Sequence, residues 1–318
     1  MRIIRITAVG DIFPGNSTYN IGHGFLHCYT NTALNFDIQK IFKTSKLVLG
    51  NLEAPLVDII PEKQTKPFIG YTGFSEFLKR HDINTINVAN NHILEAGKEK
   101  YYQTLKVLNA KNFNVIGFLS NGQSNILYKN FYGIKVGVAG FNAVHDIPNP
   151  DAYAELTERN VIRCLEEMQK NSAKVKILSL HWGNEFIHIP SPQQKRLAHL
   201  FIDKGADVIL GHHPHVIQPV ERYKNGLVFY SLGNFIFDQT WSEKVKIGLI
   251  ADIQIKSEIN KKPELAFSLY PVQINKKYIP ILLEGKKKKK VLNLLERNQY
   301  LMKTLENKAY EKCYKRKY

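Results

Sequence analysis

Three histidines, His212, His213 and His215, follow directly on a short apolar run, Val208-Ile209-Leu210, that is bounded by Gly205 and Gly211. Neutral imidazole is the commonest protein ligand for borderline divalent metals, so a cluster of this density has the chemistry to hold an ion. The run before it reads as a buried strand. Pro214 restricts the backbone between the last two histidines. In an extended segment side chains alternate between faces, which puts His213 and His215 on one side and turns His212 away as a non-ligand. Taken alone, the cluster reads equally well as a metal clamp or as a solvated polar loop.

The same arrangement recurs along the chain. The strand-like run 2–9 ends at Gly10-Asp11, and Leu47-Val48-Leu49 runs into a turn, Gly50-Asn51-Leu52-Glu53. Residues 84–89 lead to Asn90-Asn91-His92, and 175–180 lead to His181-Trp182-Gly183-Asn184-Glu185. The run 227–231 is followed by Leu232-Gly233-Asn234-Phe235, with Asp238 close behind. Any one of these polar groups could start a turn or cap a helix. Carried together at the carboxyl ends of strands in one sheet, Asp11, Glu53, Asn91, His92, His181, His213, His215, Asn234 and Asp238 would converge on a common crevice. That convergence favours a metal site.

The elements needed to deliver them are legible. Helical patterns at 36–44, 74–83, 97–112, 155–170 and 192–204 alternate with the strands, including runs near 115–116 and 134–139. Such alternation implies an α/β fold with a largely parallel sheet. The strands 247–256 and 264–274 have no helix between them and suggest an antiparallel edge. The segment 15–37 reads as a loop, with His23 and His27 at the surface. Trp182 is expected to pack rather than to stack on substrate, His199 to sit on a helix face, and His145-Asp146 to occupy a loop.

With 318 residues and 44% apolar content, the chain can bury a real core in one large α/β domain or two smaller ones. Three unpaired cysteines, Cys28, Cys164 and Cys313, argue against a disulfide scaffold or structural zinc and fit a reducing compartment. No run is long enough to cross a bilayer or to form a signal-peptide core, so the expectation is a cytoplasmic protein. The net charge is +16, and residues 286–318 carry twelve Lys/Arg against three Glu. No aromatic-interleaved basic groove accompanies that tail, so it reads as a solvated helix over 291–312 with Leu292, Leu295 and Leu305 on one side, not as a nucleic-acid module.

The segments GDIFPGN, GNLEAPL, NVANNH, HWGNEF with the following PSPQQ, GADVILGHHPHVIQPVE and YSLGNFIFDQ span residues 10 to about 239. In that order and spacing the chain resembles the CapA family of poly-gamma-glutamate capsule biosynthesis proteins, within the calcineurin-like metallophosphoesterase superfamily. The resemblance implies a four-layer α/β/β/α sandwich, two facing sheets with helices outside, over residues 1–285, and leaves 286–318 as a basic tail. It implies one or two divalent ions (Mn, Zn or Fe) held by Asp11, Glu53, Asn91, His181, His213 and His215. By the same resemblance His92 contacts the scissile group, while Glu185, Asn234 and Asp238 orient histidines or substrate. The implied activity is a metal-dependent hydrolase in which activated water attacks a phosphoester of an anionic substrate. Action on a polyglutamyl amide, or polymer binding without catalysis, are the competing readings. Two positions depart from the superfamily pattern: Phe13 replaces a histidine, and Glu53 replaces a bridging aspartate.

Overall fold

The computed structural model describes residues 2–15, 32–58, 68–145, 152–257 and 262–314, with side chains as far as 302. His23, His27, Asp146 and the side chain of Leu305 lie outside the described residues.

Two sheets face each other. The first runs Pro280–Leu282, Glu264–Ile274, Ile247–Ser257, Arg2–Ile12, Leu47–Leu52, Thr85–Asn87 and Asn114–Ile116, with Asn234–Ile236 paired to the end of Arg2–Ile12. The second runs Val220–Tyr223, Gly226–Phe229, Val208–His212, Val175–His181, Ile134–Asn142 and Leu127–Phe131. The central strands of both are parallel. The pair 247–257 and 264–274 is antiparallel, as its lack of an intervening helix requires.

The period of two in each strand sorts side chains between layers. Ile4, Ile6, Leu47, Leu49, Val175, Ile177, Val208 and Leu210 meet between the sheets. Val9, Val48 and Ile86 instead face the helices Phe36–Lys43, Phe74–Arg80 and Gly97–Ala110. Leu178, Leu180 and Ile209 face the helices Glu158–Lys170 and Pro192–Asp203. The fold is therefore the expected four-layer α/β/β/α sandwich.

The helices begin where local chemistry starts them. Asn35 accepts from the backbone of Asp37 and Ile38, and Ser191 forms a capping box with Gln194, with Pro192 at the first helical position. Thr157 caps the fourth helix, which therefore starts at Glu158 rather than at 155. The strand expected over 84–89 is confined to Thr85–Asn87. Three other strands run further than their apolar stretches suggest, ending at Leu52, His181 and His212, so the supposed turn at 50–53 is largely strand. The final helix starts at Gly285, six residues before the expected boundary, and includes the five lysines. It lays Val291 and Leu295 against the inter-sheet core and Met302 against the outer helices. Among the described residues, no helix is long and apolar enough to cross a membrane.

Candidate metal centre

The inter-sheet face continues past the apolar part of each strand and becomes polar at its carboxyl end. Leu47 and Leu49 are followed on the same face by Asn51 and then Glu53, while Val175 and Ile177 are followed by Ser179 and His181. A register shift between Ala8 and Asp11 turns Asp11 into the same space. Asp11, Glu53, His181 and His215 are fully buried there, and His213 and Asn91 nearly so.

The contacts form one network. Asp11 accepts from Asn51 Nδ2 at 2.9 Å and from the backbone N–H of His213 at 3.1 Å. Glu53 Oε1 lies 3.4 Å from His215 Nε2 and 3.8 Å from His181 Nε2. Asn91 Oδ1 is 2.8 Å from His181 Nε2, and His215 Nδ1 is held 2.9 Å from Asn234 Oδ1. Ligand-type atoms within 4.8 Å of one another occur in three overlapping groups: Asp11, Glu53 and His215; Glu53, His181 and His213; Glu185, His213 and His215. Glu53 belongs to two of them.

His212 corrects the alternation expected from its neighbours. The chain is still in strand at 212, so His212 follows Val208 and Leu210 onto the inter-sheet face, and its Nδ1 lies 3.2 Å from Asp11 Oδ1. His213 and His215 are not extended at all. Their φ angles are 92° and 55°, in the left-handed region that non-glycine residues rarely occupy. They reach the crevice together because the backbone twists there, not because every second residue shares a face.

His92 stands beside the network. Its Nδ1 is 2.9 Å from Glu95 Oε1, its Nε2 is 3.1 Å from Asn91 Nδ2, and its ring stacks on Phe68 at 3.6 Å. Phe13 explains that stacking. It is buried among Phe68 and Phe237 at 5.0 and 5.2 Å, in an aromatic wall beside the crevice. Asp238 is buried, its Oδ2 makes no hydrogen bond among the described residues, and burial pushes its carboxyl up to about 7. Glu185 is exposed at the rim, followed by exposed Phe186, whose ring is 5.8 Å from that of Trp241.

Trp182 packs as expected, buried with its Nε1 donating to Tyr230 O. His199 sits on its helix, stacked on Tyr223 and 3.0 Å from Glu221. His145 is exposed and 3.3 Å from Glu155. Sequence reasoning passed over Asn51, Asn87 and Asn90, which are buried and bonded around Asn51 Oδ1. The alternation Leu47-Leu49-Asn51 was the signal for the first of them.

The electrostatics suit a cation. Burial would raise the Asp11 carboxyl, but His212, His215 and Asn51 outweigh it and hold it below its ordinary value. Burial, with the neighbouring His213, His212, His215 and His92, holds His181 well below the usual imidazole range, so its lone pairs stay available. His212 Nε2 and His215 Nε2 are buried and make no hydrogen bond among the described residues. Buried polar atoms without partners are costly, and an ion in the crevice would satisfy them. The mixed carboxylate, amide and imidazole set fits a divalent transition metal.

One consequence is testable on chelated protein. A histidine whose pKa is lowered by folding leaves the unfolded chain binding more protons, so stability rises with pH in that window. His181, His81 and His188, each lowered chiefly by desolvation, act in this direction, and together they outnumber the buried Asp238 carboxyl, whose raised value acts in the opposite one. The melting temperature of metal-free protein is expected to fall as pH drops below about 6.5, the unfolded histidine value. A flat profile from neutral to mildly acidic pH would contradict this.

A family model for the bacterial capsule synthesis protein PGA_cap matches residues 5–239. The chain belongs to this family. CapA, the capsule biosynthesis protein of Bacillus anthracis, is 29% identical over 276 residues, covering 78% of this chain and 63% of that protein. The PGA biosynthesis protein CapA of Bacillus subtilis (strain 168) is 29% identical over 275 residues, covering 82% and 70%. The PGA_cap chain thus spans only part of the length of these relatives. Among solved structures, a 5'-nucleotidase precursor from Thermus thermophilus superposes with a TM-score of 0.51 at 13% identity, over 94% of this chain and 59% of that one. The NAD nucleotidase NadN of Haemophilus influenzae gives 0.50 at 13% identity, over 93% and 56%. At these identities the likeness concerns the fold alone.

Proposed function

We propose that this PGA_cap-family protein is a metal-dependent hydrolase acting on a phosphoester in the assembly of a capsule or poly-gamma-glutamate polymer. The observation that carries the reading is the pair of buried ligand groups, Asp11/Glu53/His215 and Glu53/His181/His213, which share one carboxylate. Asp11, Glu53, Asn91, His181, His213 and His215 would hold one or two ions of Mn, Zn or Fe. When bound, such an ion polarises a phosphoryl oxygen and lowers the pKa of water.

The remaining steps belong to the protein. Glu95 fixes His92 through Nδ1 and Phe68 stacks its ring, leaving Nε2 beside Asn91 to give or take a proton at the leaving oxygen. Asn234 orients His215 through Nδ1, so that Nε2 faces Glu53. The same donor set could instead polarise a polyglutamyl amide, a reading supported by the names of the CapA relatives. Phe13, in the aromatic wall, supports polymer binding without turnover.

The test is metal content of the purified protein with phosphomonoester and phosphodiester assays on the same sample. His213→Ala is expected to lose metal. His92→Ala is expected to keep metal and lose about 10²–10⁴-fold in turnover, the span of general acid–base catalysis. Metal without phosphoester turnover would move the reading to the amide. Failure to take up Mn or Zn would remove the catalytic reading altogether.

A further inference from the structure

The second sheet has a built site at its other end. The metal centre lies at the carboxyl ends of the parallel strands, whereas a cavity of about 1350 Å³ opens at their amino ends. It is lined by the starts of Ile134–Asn142, Val175–His181 and Gly226–Phe229 and by the ends of the two helices outside that sheet. The length of strand 175–181 separates the two by about 20 Å, at roughly 3.3 Å per residue.

Its charge is one-sided. Among the described residues, Arg2, Lys174, Lys176, Lys224 and Lys262 line it against two carboxylates, Asp203 and Asp207. Both carboxylates are engaged: Asp203 pairs with Lys224, and Asp207 accepts the backbone N–H of Lys176 at 2.9 Å. Lys262 Nζ stays 3.9 Å from Asp207, beyond hydrogen-bond reach. Lys176 is the unusual member. It is only 8% exposed, and its ammonium lies 3.9 Å from where a Cβ would stand on Gly205 at the cavity wall. That ammonium makes no hydrogen bond among the described residues, and the Asp207 charge that reaches it is shared with Lys262. The stem of Lys176 is buried while its ammonium opens onto the cavity, where an anion would pair with it.

Lysines near helix carboxyl termini often serve only to answer the last carbonyls. Here that role is taken by Lys135, whose Nζ donates to Asn171 O at 2.8 Å. Among the described residues the cavity wall contains helix ends but no helix start, and so no cradle of helix N-terminal N–H groups of the kind that suits a compact phosphate. Its donors are separate ammonium groups, each a point charge on a flexible stem. Carboxylates strung along a chain match separate ammonium groups better than one dense anion does, because the nearby helix carbonyls penalise concentrated negative charge.

We propose that this cavity is a second, non-catalytic binding site that takes a chain of successive carboxylates, with Lys176 as its buried anchor and Lys174 and Lys262 at its mouth. It does not depend on the hydrolase reading, because none of its residues belongs to the metal centre.

The experiment is fluorescence anisotropy of a labelled short oligo-γ-glutamate titrated with the full chain at low salt, with tripolyphosphate as competitor. Wild type is expected to bind, and more weakly as salt screens the lysines. Lys176→Met keeps the apolar stem and is expected to weaken binding about tenfold, a loss of about 1.4 kcal/mol. The exposed double variant Lys174→Gln/Lys262→Gln is expected to weaken it comparably, and it decides the matter should Lys176→Met fail to fold. His213→Ala is expected to bind as wild type, which separates this site from the fate of the metal centre. The proposal is overturned if wild type does not bind, if both lysine variants bind unchanged, or if tripolyphosphate displaces a probe that longer oligo-γ-glutamate does not.

Discussion

Asp11→Asn is expected to leave a folded protein that no longer retains divalent metal, with hydrolytic activity reduced at least about a hundredfold. The magnitude follows from supporting groups alone, whose loss typically costs about 10–100-fold in metal affinity or activity, and Asp11 is proposed as a ligand. Its carboxylate meets four groups at once: Asn51 Nδ2, the His213 backbone N–H, His212 Nδ1 and His215 Nδ1. An amide of the same shape retains one acceptor oxygen but presents N–H₂ where the carboxylate accepted, and it removes the one charge that faces both His212 and His215. The volume is unchanged, so the fold has little reason to fail. Elemental analysis together with a melting curve reads both effects. Wild-type metal content in Asp11→Asn would remove Asp11 from the ligand set, and with it the reading of the group that it shares with Glu53 and His215.

Gly211→Ala is expected to cost more in stability than any single side-chain deletion at the crevice. A Cβ at 211 would stand 1.9 Å from the carbonyl oxygen of Tyr230 and 2.7 Å from Trp182 Nε1. The first neighbour is backbone, which cannot rotate away, and the second is pinned by its bond to that same carbonyl. Overpacking a well-filled interior costs about 1–3 kcal/mol where side chains can adjust, and more where backbone must shift. Here the shift would part Val208–His212 from the chain leading to Asn234, and so displace His212 and His213 relative to Asp11. A cooperative loss of stability together with loss of metal is expected, measured by denaturant unfolding. Stability within about 0.5 kcal/mol of wild type, the usual range of a neutral surface change, would contradict this account of the site's close packing.

Both results probe the same physical design. The strands approach closely at Gly10 and Gly211, where a Cβ would strike the carbonyls of Gly233 and Tyr230. That closeness lets short side chains such as Asp11 and Asn51 touch across elements distant in sequence. The glycines were visible as punctuation at strand ends, but nothing local distinguishes a glycine that turns the chain from one that admits a neighbouring backbone.

Much of the architecture was legible because it depends on local periodicity. Short apolar runs at 47–49, 175–180 and 208–210, followed by polar strand tips, are enough to place Glu53, His181 and the histidine cluster at one end of a sheet. Alternation misled where the chain departs from a regular strand. His213 and His215 adopt positive φ, so alternation counted from them assigned His212 to the wrong face, while counting forward from Val208 and Leu210 places it correctly. Local signals marked the helix 192–204 through Ser191, Pro192 and Gln194, but they did not show that the last helix would reach back to Gly285.

By itself, the sequence determined the alternation of strands and helices, the polar residue at each strand tip and the excess of basic charge, since each is written in neighbouring residues. Only the tertiary structure decided which tips meet. It brought Asn51 into the centre, turned His212 inward, placed Phe13 in an aromatic wall behind His92, and gathered Arg2, Lys174, Lys176, Lys224 and Lys262 at the opposite end of the strands. Those outcomes depend on how two sheets stack and how closely their strands approach. Such long-range packing leaves no period in the chain to read.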